Sequence, residues 1–334
     1  MLRPLWNRIK AFLARLRRRA PPAPGRFETG AKFSIRGALA VAPWIWPRRE
    51  YLVYVPQGHS RWRQHSLLVL VHGCRQTAED IARSARITAL ADGLGCLVLL
   101  PEQNPRANSW GCWNWFDQRT TAGGGETAIL AAQIRAVRRR YRVHKKRVFA
   151  AGLSSGAGLV TALAMHHSRL LAGIFVHSGV AAGAASSPMA ALSVLKRGPD
   201  QDVATIGRAA RAAAGRDARA VPALVLQGER DEVVSPHHAT EIVRQVLAFA
   251  RHPQVAAAPA PLPTPAYERH STTADGRHVT VREWRGGTRL LARQVLVREL
   301  GHAWSGGDPE LAFTDPGEPQ ATEILRAFMA DVLD

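Results

Sequence analysis

Gly152-Leu153-Ser154-Ser155-Gly156 stands directly after an apolar run at residues 147–151 and opens a helical stretch at 158–167. This is G-x-S-x-G between a strand and a helix. So tight a turn strains the serine backbone and leaves its Oγ exposed at the end of a sheet, with small residues two positions either side to avoid a clash. A hydroxyl is a poor nucleophile at neutral pH, so Ser154 needs a base, and the base needs an orienting acid. In this architecture the acid and then a histidine follow the serine in the chain, each on a loop after a strand. A strand at 223–226 runs into Gln227-Gly228-Glu229-Arg230-Asp231-Glu232, which offers Asp231, with Glu229 and Glu232 as rivals. A strand at 294–297 runs into Arg298-Glu299-Leu300-Gly301-His302, which offers His302. His177, which also follows a strand, is the main rival for the base. His166, His167, His237 and His238 fall on or beside helices.

Attack on a carbonyl makes an oxyanion, which needs preorganised amide donors. The Ser155 amide is one. The other belongs to the loop after the strand at 67–71, where His72-Gly73-Cys74-Arg75-Gln76 stands; Cys74 is the expected donor and Arg75 the alternative. His72 reads as a structural residue of that loop. Trp110, Trp113, Trp115 and Trp304 flank the site; Trp113 and Trp115 read as core anchors, and Trp304, two residues past His302, as the substrate contact. No metal or nucleotide cofactor is expected: the chain has no H-E-x-x-H, no paired C-x-x-C and no P-loop, and Gly123-Gly124-Gly125 is not a G-x-G-x-x-G after a strand.

Placing these loops at one edge requires a sheet. Short apolar runs at 51–55, 67–71, 96–100, 147–151, 174–177, 223–226 and 294–297 alternate with helical stretches at 79–94, 126–141, 158–167 and 239–250. Several of the runs are unbroken Val, Leu and Ile, as in strands buried on both faces of a parallel sheet. The expected class is therefore α/β, with helices on both faces of a mostly parallel central sheet. Residues 180–220 read as short helices over the sheet edge, and 252–266 as a Pro/Ala surface loop.

With 334 residues, 46% hydrophobic and 21% charged, the chain can bury a sizeable core, and no apolar run reaches a membrane-spanning length. The net charge of +19 suggests an anionic partner. Its densest runs are the first thirty residues and 135–147. In the second, Leu130, Ile134, Val137 and Tyr141 form an apolar stripe, so the arginines make a solvated helix face and turn, and no nucleic-acid partner is expected. Residues 1–20 place Leu2, Leu5, Trp6, Ile9, Phe12, Leu13 and Leu16 on one face of a basic helix, ended by Pro21-Pro22. Such a helix suits an anionic membrane or granule surface, the alternative being a helix packed on the body of the protein or a frayed tail. The expected organisation is a basic amphipathic helix and Pro-rich linker over 1–25 and a single domain over 26–334.

The chain resembles the polyhydroxybutyrate-depolymerase family of esterases, related to feruloyl and acetylxylan esterases. The resemblance is carried by His72-Gly73-Cys74-x-Gln76-Thr77-Ala78, Pro101-Glu102-Gln103, Cys112-Trp113-Asn114-Trp115-Phe116, Gly152–Gly156 and Gly301-His302-Ala303-Trp304-Ser305-Gly306-Gly307, in order over residues 50–310. It implies the α/β-hydrolase fold, hydrolysis of carboxylic esters through Ser154, His302 and Asp231, and a Cys74–Cys112 disulfide pinning the oxyanion loop. Where such esterases often read His-Gly-Asp-x-Asp around the acid, this chain has Gln227-Gly228-Glu229-Arg230-Asp231.

Cys96 reads as a buried core thiol. The implied disulfide would suit an oxidising compartment, as would the secreted members of the family. The lack of a recognisable signal peptide points instead to the cytoplasm, so the two clues conflict. The expected substrates are polyhydroxyalkanoate, hydroxyacyl or short-chain esters. A feruloyl or acetylxylan esterase is the alternative, and a non-catalytic surface-binding protein on the same scaffold is the alternative of another class.

Overall fold

The computed structural model describes residues 24–32, 48–216, 218–255 and 260–334. The helix expected at residues 1–20 and the middle of the Pro/Ala loop lie outside the described residues. The main sheet contains β1 (Arg26–Lys32), β2 (Arg49–Val55), β3 (His65–Val71), β4 (Leu97–Pro101), β5 (Val143–Leu153), β6 (Gly173–His177), β7 (Ala223–Gly228), β8 (Tyr267–Thr272), β9 (His278–Gly286) and β10 (Arg289–Val297). Their spatial order is β1-β2-β4-β3-β5-β6-β7-β10-β9-β8. From β4 to β10 in that order the neighbours run parallel, and antiparallel pairs flank this block on both sides.

The parallel strands are unbroken apolar runs because both of their faces are covered. Along β3, Leu67, Val69 and Val71 enter one apolar core while Leu68 and Leu70 enter the other, the two-residue period of a strand. The first core is closed by Leu130, Ile134 and Val137 of the helix Gly125–Arg140, by Leu159 and Val160 of Ser155–His166, and by Ile242 and Val243 of His237–Phe249. The second is closed by Ile81 of Ala78–Ser84, Ile87 of Ile87–Leu94, and Leu325 and Phe328 of Ala321–Leu333. The basic run after Val137 is a solvated face: Arg139, Arg140, Arg142, Lys145, Lys146 and Arg147 are exposed.

Several elements differ from the sequence expectation. The single helix at 79–94 is two, because Arg86 takes a left-handed conformation with φ of 46°. The strands β1, β8 and β9 and the helix Ala321–Leu333 were not anticipated; β8 is almost wholly exposed and lacks an apolar period. Residues 180–220 hold two helices, Pro188–Arg197 and Val203–Ala213. Gly207 of the second sits against the backbone of Gln245 in His237–Phe249, and Leu192 and Leu195 of the first line the cavity described below.

Because β3, β5, β7 and β10 are parallel, the segments that follow them all emerge at one edge of the sheet. These are the segments carrying His72–Gln76, Ser154, Asp231 and His302.

Candidate active site

Ser154 joins β5 to the helix Ser155–His166 with φ of 56° and ψ of −120°, a conformation that L residues rarely adopt. Two close approaches explain the flanking glycines. A Cβ on Gly152 would lie 2.6 Å from the Gly156 backbone, and one on Gly156 would lie 2.4 Å from the carbonyl oxygens of Val71 and His72. The helix thus starts pressed against the end of β3, which brings the Ser154 turn beside the His72–Gln76 loop. The backbone N–H of Ser154 donates to His177 O at 3.0 Å and holds the turn from the β6 side.

Asp231 and His302 meet across 71 residues: His302 Nδ1 donates to Asp231 Oδ2 at 2.8 Å, which leaves Nε2 as the free nitrogen of the ring. The other carboxyl oxygen, Oδ1, accepts from the amides of Val233 at 2.9 Å and Val234 at 2.8 Å. Burial raises the Asp231 pKa, but the bond and charge of His302 and these amides outweigh it, so the carboxyl titrates below its usual range. Its rivals Glu229 and Glu232 are exposed.

His177 is not placed to act as a base. It is fully buried; its Nε2 accepts from the Ser305 amide at 3.3 Å and its Nδ1 bonds Ser178 Oγ at 3.1 Å. Burial, helped by the charge of His302, pushes its pKa down to about 3. His72 is also structural: Nδ1 donates to Gly73 O at 2.7 Å, Nε2 accepts the Gln103 amide at 3.1 Å, and burial lowers its pKa to about 4.

The two candidate oxyanion donors differ in availability. The Arg75 amide already donates to Trp110 O at 2.8 Å, whereas the Cys74 amide has no acceptor among the described residues. The Ser155 amide opens its helix, where the helix dipole favours negative charge. Cys74 and Cys112 are joined by a disulfide. Gln76 Oε1 accepts the Gly73 amide at 2.9 Å, and Ser155 Oγ accepts the Trp113 amide at 3.3 Å.

A buried polar network, missed in the sequence, braces the far side of this loop. Glu126 accepts from Arg49 at 2.9 Å, from Gln103 Nε2 at 2.7 Å and from the Asn114 amide at 2.7 Å. Gln103 Nε2 also donates to Cys112 O at 2.8 Å. The network therefore fixes the segment that holds the disulfide. Gln103 and Asn114 lie in motifs of the family resemblance; nothing in the sequence pattern tied Arg49 to them.

Ser154, Ser155, Cys74 and His302 line one cavity of about 330 Å³. Its walls are mostly apolar, from Trp110, Trp115, Leu192, Leu195, Val233 and Phe313. A larger cleft of about 660 Å³, at the opposite edge of the sheet, is lined by basic residues such as Lys146, Arg147 and Arg219 and has no serine or cysteine. Ser154 and His302 lie in the smaller cavity.

Trp304 corrects the sequence reading. Its side chain is fully buried, packed edge-on against Phe175 with ring centroids 5.5 Å apart, and its Nε1 donates to Thr322 Oγ1 at 3.2 Å. It does not reach the cavity, because the strand Trp304–Ser305 directs this ring into the core. Phe313, whose backbone O accepts the Trp304 amide, lines the cavity instead, and Trp110 stands at its rim, 60% exposed. Trp113 is a core residue as expected; Trp115 is buried too, but one side lines the cavity. Among the described residues no group of three or more His, Cys, Asp or Glu is placed to hold a metal ion.

The sequence profile of the family described as esterase PHB depolymerase matches residues 49–259. Poly(3-hydroxyalkanoate) depolymerase C of Paucimonas lemoignei is 29% identical over 181 residues, covering 54% of this chain and 44% of that protein. Acetylxylan esterase A of Talaromyces purpureogenus is 30% identical over 133 residues, 39% of this chain and 34% of that one. The chain spans less than half the length of these curated relatives. Among solved structures, an acetyl xylan esterase from Aspergillus awamori superposes with a TM-score of 0.65 at 20% identity, covering 83% of this chain and 94% of that one. An S-formylglutathione hydrolase from Agrobacterium tumefaciens gives 0.52 at 14% identity, covering 92% and 93%. These likenesses identify the fold as that of the α/β-hydrolases.

Proposed function

The chain belongs to the esterase PHB depolymerase family, and from that premise we propose that it is a serine carboxylesterase acting on hydroxyacyl or other short-chain esters. One observation carries the reading. A serine held at a strained strand–helix turn shares an apolar cavity with a histidine whose second nitrogen is bound to a buried carboxylate.

Asp231 holds the His302 ring with Nδ1 protonated, so Nε2 takes the Ser154 proton as Oγ attacks the ester carbonyl. The amides of Cys74 and Ser155 stabilise the oxyanion as charge develops. Collapse breaks the ester C–O bond, and His302 returns the proton to the leaving alcohol. Water, deprotonated by the same ring, then releases the acid from Ser154. Buried Asp231 stabilises the imidazolium in both halves.

The apolar walls favour a substrate whose carbonyl is flanked by short aliphatic groups, and the depolymerase relatives make 3-hydroxybutyrate oligomers the first choice. Similarity to acetylxylan esterases supports acetylated xylan as the second reading. Release of 3-hydroxybutyrate from its oligomers, set against release of acetate from acetylated xylan and ferulate from a feruloylated sugar, decides among them. Turnover of none of these, or of p-nitrophenyl butyrate, by folded protein would leave the non-catalytic reading.

A further inference from the structure

Among the described residues, Arg75 and His302 are the only ionisable side chains that line the cavity, whose walls are otherwise apolar or uncharged. Arg75 makes no ion pair with a carboxylate among the described residues. Arg83, by contrast, pairs with Asp308 at 3.3 Å and Glu310 at 3.6 Å.

Its position is fixed from several sides. The preceding residue is tied by the Cys74–Cys112 disulfide, and the Arg75 backbone is held at φ of 59° by its amide bond to Trp110 O. The guanidinium lies over the Trp110 ring, 4.7 Å from its centroid, at the rim of the cavity. Stacking leaves the in-plane N–H groups of a guanidinium free to donate, and that fork matches a carboxylate. Arg75 is exposed at that rim, so such a pair is sensitive to salt.

We propose that Arg75 is a specificity residue that binds a free carboxylate on the ester substrate, so that the site takes hydroxy-acid oligomers by their carboxyl end. The proposal rests on the ester-hydrolase reading. In each cycle the Ser154 Oγ–acyl bond forms and the last ester C–O bond breaks. His302 passes the proton to the departing alcohol oxygen, and the terminal hydroxy acid leaves with the carboxylate that Arg75 held.

The test compares the 3-hydroxybutyrate dimer as free acid with its methyl ester, in the wild type, Arg75→Gln and Arg75→Lys. The wild type should favour the acid by about tenfold in kcat/KM, with the difference mostly in KM. That ratio should fall near unity in Arg75→Gln and be partly kept in Arg75→Lys. Added salt should lower the wild-type ratio, a measurement that needs no variant. A wild-type ratio near or below one, or an equal ratio in wild type and Arg75→Gln, overturns the role of Arg75 while leaving ester hydrolysis standing. Failure of folded wild type to hydrolyse either compound while it turns over p-nitrophenyl butyrate also overturns the role of Arg75, and failure on p-nitrophenyl butyrate as well overturns the ester reading itself.

Discussion

Gln227 donates its side-chain amide to Asp231 Oδ2 at 3.0 Å, the same carboxyl oxygen that receives His302 Nδ1. It also donates to the carbonyls of Gly228 and Val234, at 3.2 Å each, and so closes the turn on which Asp231 stands. Gln227 occupies the place where related esterases often carry a histidine, and here its amide holds the Asp231 carboxylate. Gln227→Leu keeps the volume but removes the donor. Hydrogen bonds to charged groups contribute about 1.5–3 kcal/mol, so kcat should fall about tenfold or more with KM little changed. Steady-state kinetics on p-nitrophenyl butyrate, with circular dichroism to confirm folding, checks it. An unaltered kcat would remove Gln227 from the positioning of Asp231.

Gly156→Ala should be among the most damaging single-methyl changes in the chain. The added Cβ would meet two carbonyl oxygens at 2.4 Å, and both belong to backbone that is buried and cannot yield. Overpacking of this kind costs about 1–3 kcal/mol or more. The urea midpoint should fall accordingly, whereas Gly93→Ala, with nothing within 4 Å of its Cβ, should leave it nearly unchanged. Equal midpoints for the two variants would contradict the close approach of the Ser154 turn to β3.

The disulfide links positions 38 apart in sequence. Closing a loop of that size stabilises by about 3–4 kcal/mol in the chain-entropy account. Cys112→Ser should therefore lower unfolding free energy by about that amount, and reduction by dithiothreitol should do the same. Because Cys74 carries a proposed oxyanion donor, kcat should drop in the variant even where it is fully folded. Stability lost with kcat intact would make the bond a staple alone.

Stability should fall as the medium is acidified below neutrality. His72 and His177 have an ordinary pKa of 6.5, and burial lowers them to about 4 and about 3. Between those values the unfolded chain binds more protons than the folded one. Falling pH therefore favours unfolding from about pH 6.5 downward, by roughly 1 kcal/mol per pH unit for each ring. The slope from each ring is about half its full size at pH 6.5 and fades out about one pH unit above it. Asp231, whose pKa is lowered from 3.8, adds its own loss only at lower pH. Urea midpoints at pH 7.5 and pH 5.0 test this: the second should be clearly lower, and shallower dependence is expected in His177→Gln.

Much of the candidate site was legible because chain order and close backbone contacts bring its residues together. Gly152 and Gly156 mark Ser154 since no other residue fits those approaches, and the turns after β7 and β10 single out Asp231 and His302. Trp304 was misread because sequence distance from His302 says nothing about which way a short strand turns its side chains. Arg49 and Glu126 form a buried pair across 77 residues, and a pair that distant leaves no periodic trace. The edge strand β8 was invisible for a related reason: with most of its side chains exposed, it has no apolar alternation to read. Arg86 breaks a helix through a left-handed backbone, which an arginine does not announce.

Mass spectrometry of the protein after reaction with a fluorophosphonate, in the wild type and in His302→Ala, tests most directly whether Ser154 and His302 act as nucleophile and base. One adduct is expected, on the peptide containing Ser154, formed rapidly in the wild type and slower by about a thousandfold or more in His302→Ala. An adduct on another serine, or labelling of Ser154 at the same rate in both proteins, would contradict the assignment of Ser154 and His302 as nucleophile and base.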